Sequence, residues 1–509
     1  MREQPENAAA GPPAATPGVR PPGSPFVARA VHLHLEGDAS AALAELERAL
    51  QGKAGLSTAQ LAEIYTALGA LHFERKQFDQ AAEAYANLLA VDPKHPSGAY
   101  HRALCLEAAG HWQLAADQFE QALLQEPGRV EAQLGLGACY LQLGAAGRAL
   151  ECYDRCLQQD PELEAAQFGK AVALQLQKKP TEAAEMYRRI LAKNPGSEEC
   201  LANAIGVSHE LKDQAAVQRY AERLLSLRPG APAALEALAG EAFAAGASEK
   251  AAEWCAALVQ AHPDCIEGWL NLGIARQEAG ALDQARQAYQ RALELAPDST
   301  TARWNLALLL EKQGQTAEAL ALYAKLTEQN PDWEEARFRL GYTALQLGES
   351  RTAVEAFEAC LRKSPDWPEA QLNVAIGYWK SGALDRARDG FEKIAARDPE
   401  CTDAIRGLAG IAMERDDLQQ ALELHGKLID RGERTAELLY NTGLLLQRSG
   451  KNEDAVRLYQ EALRESPEFC EALVNLGIAL QSLGREEEAR AQWRKAVAAD
   501  PEMAQGYFR

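Results

Sequence analysis

Basic residues are scarce in this sequence relative to acidic ones. The 509 residues include 53 Lys and Arg against 73 Asp and Glu, so the formal net charge is -20. Binding to nucleic-acid phosphates needs clustered Lys and Arg, and the sequence has no such run. It also lacks an apolar run of about 18 residues, the length that a transmembrane helix requires. We therefore expect neither a nucleic-acid partner nor a membrane span.

Sequence motifs typical of catalysis are also missing. The chain contains no Gly-rich nucleotide-binding loop of either common type, no nucleophile elbow and no HExxH zinc helix. The repeats described below occupy nearly the whole chain and leave no room for a catalytic domain. We therefore predict that the protein is not an enzyme and that it has neither a catalytic residue nor a cofactor.

The ten cysteines form no CxxC pair, and none has a histidine at metal-ligand spacing. Cys152 and Cys156 lie one helical turn apart, which would suit a metal or redox pair. Cys105 and Cys139, by contrast, occupy the same position in adjacent repeats. Such residues can serve as small apolar filler in a reducing compartment. We favour the filler interpretation, expect no metal site and expect a cytoplasmic protein.

The sequence predicts four segments of different character. Residues 1–25 hold seven prolines and no apolar core, and Glu3 and Glu6 stand near the start. This composition is typical of a disordered Pro/Ala/Gly-rich tail and not of a signal peptide. A divergent first repeat is predicted at residues 26–57, tandem repeats at 58–503 and a short stub at 504–509.

A fixed period of about 34 residues organises most of the chain. In the unit that begins at Ile266, Trp269, Leu272 and Gly273 share one helical face, and Ala285 and Tyr289 share another. A glycine between the two helices and a proline after the second would end them. The small residue of the second helix recurs at Ala81, Ala115, Ala149, Ala183, Ala251, Ala285, Ala319, Ala353, Ala387, Ala421, Ala455 and Ala489.

The unit that begins at Ile266 contains, in order, an aromatic residue, Leu-Gly, Ala, an aromatic residue, Ala and Pro, and this order resembles the tetratricopeptide repeat family. The units from Glu198 and from Thr402 depart from it. The resemblance covers about residues 58–503. It implies an all-α fold, a right-handed superhelical solenoid of antiparallel helix pairs, with about 13 regular repeats and one divergent repeat. The first helix of each pair would line a concave groove. One unit alone is too small to fold, so stability depends on the stacking of neighbours.

An asparagine recurs two residues before the Gly or Ala of the first helix. Its amide has donors and an acceptor, so a ladder of such residues can bind the backbone of an extended peptide. The ladder resembles that of the superhelix of O-linked N-acetylglucosamine transferases. The alternative, that each asparagine bonds locally to the neighbouring repeat, stays open. The ladder comprises Asn203, Asn271, Asn305, Asn373, Asn441 and Asn475.

An apolar stripe runs along the same helices, at the positions one residue before and three residues after each ladder position, and Trp379 lies three residues further on. We expect these side chains to face the groove and not the core, and to anchor a partner. The alternative for part of the stripe is packing between repeats. The stripe comprises Leu270, Ile274, Trp304, Leu308, Phe338, Tyr342, Leu372, Ile376 and Trp379.

Acidic residues open many of the first helices. They could attract a basic ligand, but pairs such as Asp332/Glu335 and Asp366/Glu369 have the spacing of a capping box, which we favour. The family's carboxylate-clamp domains use groove Lys and Arg residues that this sequence lacks. The acidic set comprises Glu131, Glu199, Glu267, Glu335, Glu369, Asp403, Glu437 and Glu471.

Together these patterns predict a non-enzymatic scaffold for protein–protein interaction that binds a protein or peptide segment in the concave groove. Two alternatives stay open. One is the targeting module of a multi-subunit glycosyltransferase whose catalytic domain is on another chain, and the other is an assembly factor for the cell envelope or secretion. The sequence identifies neither the partner nor the oligomeric state.

Overall fold

The computed structural model describes residues 24–52 and 55–500, and within these residues it has 28 α-helices and no β-strand. Consecutive helices pack against each other in pairs, which confirms the predicted all-α solenoid of helix pairs. The 28 helices make 14 pairs, the number expected from one divergent and 13 regular repeats. Most of the predicted tail and the whole predicted stub, residues 504–509, lie outside the described residues.

The chain divides into two units, Met1–Pro263 and Asp264–Arg509. Unit 1 contains the first seven helix pairs. Their helices are α1 (Pro25–Leu35), α2 (Ala39–Gln51), α3 (Thr58–Glu74), α4 (Phe78–Val91), α5 (Gly98–Ala108), α6 (Trp112–Gln125), α7 (Val130–Gln142), α8 (Ala146–Gln159), α9 (Glu164–Leu176), α10 (Pro180–Lys193), α11 (Glu198–Glu210), α12 (Gln214–Leu227), α13 (Pro232–Ala244) and α14 (Ser248–Ala261).

Unit 2 contains the remaining seven helix pairs, with the same short connections. Its helices are α15 (Ile266–Glu278), α16 (Leu282–Leu295), α17 (Thr300–Lys312), α18 (Thr316–Gln329), α19 (Glu334–Gln346), α20 (Ser350–Lys363), α21 (Pro368–Lys380), α22 (Leu384–Arg397), α23 (Thr402–Glu414), α24 (Leu418–Asp430), α25 (Ala436–Arg448), α26 (Asn452–Glu465), α27 (Cys470–Ser482) and α28 (Glu486–Ala499). No described helix of either unit is long and apolar enough to cross a bilayer.

Close packing within a pair depends on a glycine that faces an aromatic ring. In the pair α15–α16, a Cβ atom added at Gly273 would lie 2.3 Å from Tyr289 Cε1. Tyr289 and Ala285 are both buried. After α15, Gly280 has a φ of +79°, a conformation that favours glycine. The predicted small residues therefore lie at the helix contact, and the direct neighbour of Gly273 is the ring of Tyr289.

In three helix pairs of unit 2 the buried tyrosine of the second helix donates a hydrogen bond to a side chain of the first helix, twelve residues earlier in the sequence. The hydroxyl of Tyr323 donates to Glu311 Oε2 at 2.8 Å, and Tyr289 and Tyr459 donate to glutamines at the equivalent position. Phe391 has no hydroxyl, and the equivalent position there is Trp379. This relationship brings Glu311 and Trp379 to the same register on the first helices.

First helices of successive pairs also contact each other within unit 2. Such contacts join α15 to α17, α19 to α21, α21 to α23 and α25 to α27. Second helices have no contacts of comparable extent among the described residues of this unit. The first helices of unit 2 therefore pack more closely than its second helices, and they form the inner face of this unit.

Candidate functional site

The inner face of unit 2 carries two neighbouring depressions. The first has a volume of about 670 Å³ and opens between α17, α19 and the start of α21. It combines three aromatic rings with five charged groups. Its lining residues are Glu311, Glu334, Glu335, Phe338, Arg339, Tyr342, Trp367 and Glu369.

The second depression has a volume of about 720 Å³ and lies between α21, α22 and α23. The guanidinium of Arg406 pairs with the carboxylates of Asp403 and Glu433, the latter at 2.8 Å. Its charges are thus largely neutralised internally. Its lining residues are Leu372, Ile376, Trp379, Lys380, Gly382, Phe391, Asp403, Arg406, Gly407 and Glu414.

The structure places five residues of the predicted apolar stripe in these depressions. Phe338 and Tyr342 line the first, and Leu372, Ile376 and Trp379 line the second. The side chain of Tyr342 is the most exposed of the stripe, at 39%. The other four members are half-buried and pack against the core of unit 2, and they are Leu270, Ile274, Trp304 and Leu308.

The expectation that the stripe faces the groove and not the core is wrong for the two central rings. Phe338 packs edge-on against Phe357 behind it, with centroids 5.3 Å apart, and stacks on Trp367 in front of it at 4.7 Å. Trp304 is enclosed in the same way by Tyr323 and Trp333. The residue that precedes the next first helix folds over each ring. Packing between repeats, the alternative interpretation, therefore explains these two positions.

Trp379 also has a structural role in addition to lining the second depression. Its indole Nε1 donates a hydrogen bond to Glu414 Oε1 at 2.8 Å. A Cβ atom added at Gly410 would lie 2.3 Å from Trp379 Cζ2, so the ring lies directly on the backbone of α23. Trp379 thus joins α21 to α23 and leaves only part of its ring accessible.

The asparagine ladder divides into two groups. The amide of Asn475 donates to the hydroxyl of Tyr440 at 2.8 Å, and that of Asn373 to the carbonyl oxygen of Glu369 at 2.8 Å. Asn203 likewise bonds to the hydroxyl of Tyr187, so Asn475 and Asn203 follow the local alternative, whereas Asn373 bonds within its own helix. The amides without a hydrogen-bond partner among the described residues are those of Asn271, Asn305 and Asn441.

The capping-box interpretation of the acidic residues is wrong in this region. The residue that caps α19 is Trp333 and the one that caps α21 is Trp367, and neither side chain makes a capping hydrogen bond. Glu335 and Glu369 consequently occupy the second helical position, one residue too early for the reciprocal bond of a capping box. Their carboxylates remain exposed at the rim of the first depression.

The remaining charges of the first depression are paired. Arg339 Nη1 lies 3.0 Å from Glu311 Oε1, and the other oxygen of Glu311 accepts the hydroxyl of Tyr323. Burial, together with this carboxylate, raises the pKa of Tyr323. Glu334 accepts a hydrogen bond from Ser364 Oγ at 2.6 Å and lies 3.5 Å from Lys363 Nζ.

Three residues that shape the first depression and its surroundings were not predicted from the sequence. Trp333 and Trp367 each follow the Pro-Asp pair that ends the preceding repeat, so the sequence PDW occurs in two successive repeats. Arg339 stands where the asparagine ladder would continue between Asn305 and Asn373. Both signals are visible in the repeat register, but only the structure shows that the loop tryptophan covers the preceding ring.

The buried thiols of unit 1 behave as apolar filler. Burial raises the pKa of Cys105 and Cys139 to about 12, and that of Cys152 and Cys156 to about 11. Thiols with such values carry almost no thiolate at neutral pH and are poor nucleophiles. Across residues 24–52 and 55–500, no group of three or more His, Cys, Asp or Glu residues is placed to hold a metal ion.

Comparison with solved structures gives repeat proteins of low identity. A tetratricopeptide repeat protein from Parabacteroides merdae is 21% identical, with 52% of this chain and 97% of that chain covered and a TM-score of 0.36. MamA protein is 22% identical, with coverages of 34% and 94% and a TM-score of 0.31. The Cut9–Hcn1 hetero-tetramer of APC/C is 13% identical, with coverages of 89% and 95% and a TM-score of 0.34. No curated protein matches the sequence.

Family models match several parts of the chain. The tetratricopeptide repeat domain of cytochrome c-type biogenesis protein H matches residues 256–366. One tetratricopeptide repeat model matches residues 68–134. Another matches residues 106–164, 146–198, 375–432 and 440–504. Together these tetratricopeptide repeat models match more than half of the chain, so the chain belongs to the tetratricopeptide repeat family.

Proposed function

We propose that the chain is a non-enzymatic scaffold that binds a segment of a partner protein on the inner face of unit 2. The observation that carries this proposal is the first depression, where charges from three successive first helices and the rings of Phe338, Tyr342 and Trp367 meet at one opening of about 670 Å³. Pockets of this size, with apolar walls and a few polar groups, are typical of ligand sites. An open depression on a solenoid face suits a side chain of a longer ligand.

The inner face of unit 2 has a side chain that can anchor a partner and amides that can bond to the partner's backbone. Tyr342, with 39% of its surface exposed, can bury further area when a partner docks, and tyrosine is common among residues that dominate binding energy. Asn271 and Asn305, whose amides have no partner among the described residues, can bond to a peptide backbone. Together they favour an extended segment that runs along α15, α17 and α19.

The absence of catalytic motifs from the sequence supports a non-catalytic role, and the net charge of -20 disfavours nucleic acid as the partner. We further propose a cytoplasmic location. The ten cysteines form no disulfide, and seven of them are buried, which is typical of proteins from reducing compartments.

A second candidate is assembly of c-type cytochromes, a cell-envelope function. The family model named for cytochrome c-type biogenesis protein H matches residues 256–366, which include most of the lining of the first depression. In that case the bound segment would belong to an apocytochrome. Binding of a purified apocytochrome c, weakened by a substitution in the first depression, would separate this candidate from a general scaffold.

Targeting for a glycosyltransferase is less well supported. A ligand held as in O-linked N-acetylglucosamine transferases would need an unbroken asparagine ladder. Here Arg339 and Gly407 interrupt it, and the amide of Asn373 is bonded within its own helix. The free amides of Asn271 and Asn305 keep a shorter ladder available to a peptide.

The proposal is tested by capture of partners on the immobilised full-length chain, with quantification by mass spectrometry. Tyr342→Ala should reduce capture of the main partner at least about tenfold, the scale of an interface hot spot. Leu347→Ala is a matched control, because Leu347 lies just beyond the same helix with a similar exposed fraction, 41%, outside either depression. Equal capture by both variants, with unchanged helicity, would contradict the proposal.

A further inference from the structure

Glu335 and Glu369 give the first depression an uncompensated negative charge. They stand at equivalent positions of successive repeats, in the first turns of α19 and α21. Both are exposed and line the opening, and neither has an ion-pair partner among the residues that the structure describes. Because the capping box is absent, neither carboxylate makes a capping hydrogen bond at the start of its helix.

The other charged groups of the depression cancel each other. Arg339 pairs with Glu311 at 3.0 Å, and Glu334 lies 3.5 Å from Lys363. The unpaired negative charge at the opening therefore comes from the carboxylates of Glu335 and Glu369. A charged group of opposite sign gains favourable energy there without displacing an existing ion pair.

The walls between these carboxylates are aromatic. Trp367 stacks on Phe338 with an interplanar angle of 20°, and Tyr342 lies on the same helix as Phe338, one turn further along. The faces of aromatic rings attract cations, and tryptophan does so most strongly. A Lys or Arg side chain satisfies both features, because its stem packs on the rings while its charged head meets the carboxylates.

Unit 1 shows a related contact, in which an arginine of the same chain lies on an aromatic ring near a glutamate. Tyr100 is the repeat equivalent of Phe338, and the residue equivalent to Trp367 is Arg129. The guanidinium carbon of Arg129 lies 3.8 Å from the centroid of the Tyr100 ring. Glu131, the equivalent of Glu369, is close enough to affect the pKa of Tyr100. In unit 1 the aromatic and acidic pair thus receives a guanidinium from the same chain, whereas in unit 2 Trp367 stands in that place.

We propose that the first depression binds one Lys or Arg side chain of the partner segment, between the rings of Trp367 and Tyr342 and the carboxylates of Glu335 and Glu369. This inference rests on the proposed function and specifies its ligand. The second depression, whose arginine is already paired with Asp403 and Glu433, provides no such surplus charge.

The test is a selection from a random dodecapeptide phage library on the immobilised full-length chain. The test variant is the double substitution Glu335→Gln and Glu369→Gln. The matched control, Glu328→Gln with Glu465→Gln, removes the same charge from exposed positions of the second helices α18 and α26. A charge-reversed variant, Glu335→Lys with Glu369→Lys, completes the set, and circular dichroism checks that each variant keeps its helicity.

The native chain and the control should select peptides with Lys or Arg at one fixed position. Affinity for a selected peptide should fall about threefold to tenfold in the double Gln variant, the effect of losing two solvent-accessible ion pairs. The charge-reversed variant should select Asp or Glu at that position. Selected peptides without a fixed basic residue, or basic peptides that bind the double Gln variant equally well, would overturn the inference.

Failure of the proposed function would look different. In that case no selected peptide would lose affinity for Tyr342→Ala, whatever its charge, or the chain would select no peptide at all. If the affinity of the peptides depends on Tyr342 but not on Glu335 and Glu369, the inner face is still the binding surface. The proposed binding of a Lys or Arg side chain in the first depression is then wrong.

Discussion

The indole of Trp367 stacks on the phenyl ring of Phe338, with centroids 4.7 Å apart and planes inclined by 20°. Trp367 immediately precedes α21, whereas Phe338 belongs to α19, so this contact joins two successive repeats. The pair Trp304 and Trp333 repeats the arrangement one unit earlier, with centroids also 4.7 Å apart. Because these contacts pack each repeat against the next, they stabilise unit 2, and the contact between Trp367 and Phe338 also shapes the wall of the first depression.

Removal of the indole of Trp367 should destabilise the contact between these two repeats. We expect Trp367→Ala to lower the local stability of α19 and α21 by about 1–2 kcal/mol, the value of an aromatic pair together with part of its buried area. Trp367→Phe should retain most of it. Hydrogen exchange should show faster exchange in these helices and little change in α27, because a solenoid transmits packing to nearest neighbours. Uniform loss of protection throughout unit 2 would contradict this expectation.

Glycines that face an aromatic ring should not tolerate a methyl group. In Gly273→Ala the new Cβ atom would lie 2.3 Å from Tyr289 Cε1, and we expect a destabilisation of about 1–3 kcal/mol. Gly426 in α24 is the control, since a Cβ atom added there would have no neighbour within 4 Å. Gly426→Ala should instead stabilise its helix by about 0.5–1 kcal/mol. Thermal unfolding followed by circular dichroism would compare them, and equal shifts would refute the packing role of Gly273.

Two titrating groups in α5, His101 and Glu107, should change the stability of the fold with pH in opposite directions. Burial lowers the pKa of His101 from 6.5 to about 4, so its neutral form stabilises the fold and this contribution is lost as pH falls from 6.5 to 4. Burial raises the pKa of Glu107 from 4.5 to about 7, so the fold loses stability as pH rises from 4.5 to about 7. The two slopes oppose each other between about pH 4.5 and 6.5 in the native chain.

Single substitutions should reveal each slope. In Glu107→Gln, hydrogen-exchange protection of Gly98–Ala108, corrected for intrinsic rates, should increase with pH up to about 6.5, because only the histidine titrates. In His101→Gln it should decrease with pH up to about 7. Parallel profiles in the two variants would show that one of these groups does not titrate as described.

Thiol labelling should follow burial. Iodoacetamide should modify Cys265, Cys401 and Cys470, which are half-buried, before any other cysteine of the folded chain. Buried thiols such as Cys152 and Cys156, whose pKa values are raised, should react only after unfolding. Mass spectrometry of the labelled peptides measures the order. Early labelling of Cys152 would instead support a redox pair at these two positions.

The fold was predictable from the sequence because the repeat constrains it at every unit. Glycine, alanine and aromatic residues at fixed spacing determine where paired helices meet, as Gly273 and Tyr289 illustrate. The candidate site was predictable only in part. The register identified Tyr342 as a residue of the first depression, but it could not show that Trp367, from the loop before the next helix, covers Phe338.

The acidic residues illustrate a second limit. A capping box requires the acidic residue at the third helical position, and the spacing of Asp332 and Glu335 suggested this arrangement. The helix instead begins one residue later, so Trp333 is the cap and the carboxylate of Glu335 is exposed. Helix ends are set by local backbone geometry, and a shift of one residue changes a structural carboxylate into one available to a ligand.

Site-specific photo-crosslinking tests most directly whether the inner face of unit 2 is the binding surface. A photoreactive phenylalanine analogue would replace Tyr342 at the first depression in one variant and Gln287, an exposed residue of the second helix α16, in the other. We predict that the variant at position 342 crosslinks to a defined segment of one partner and that the variant at position 287 does not. Crosslinking of the partner at position 287 alone would contradict the proposal and identify the outer helices as the binding surface.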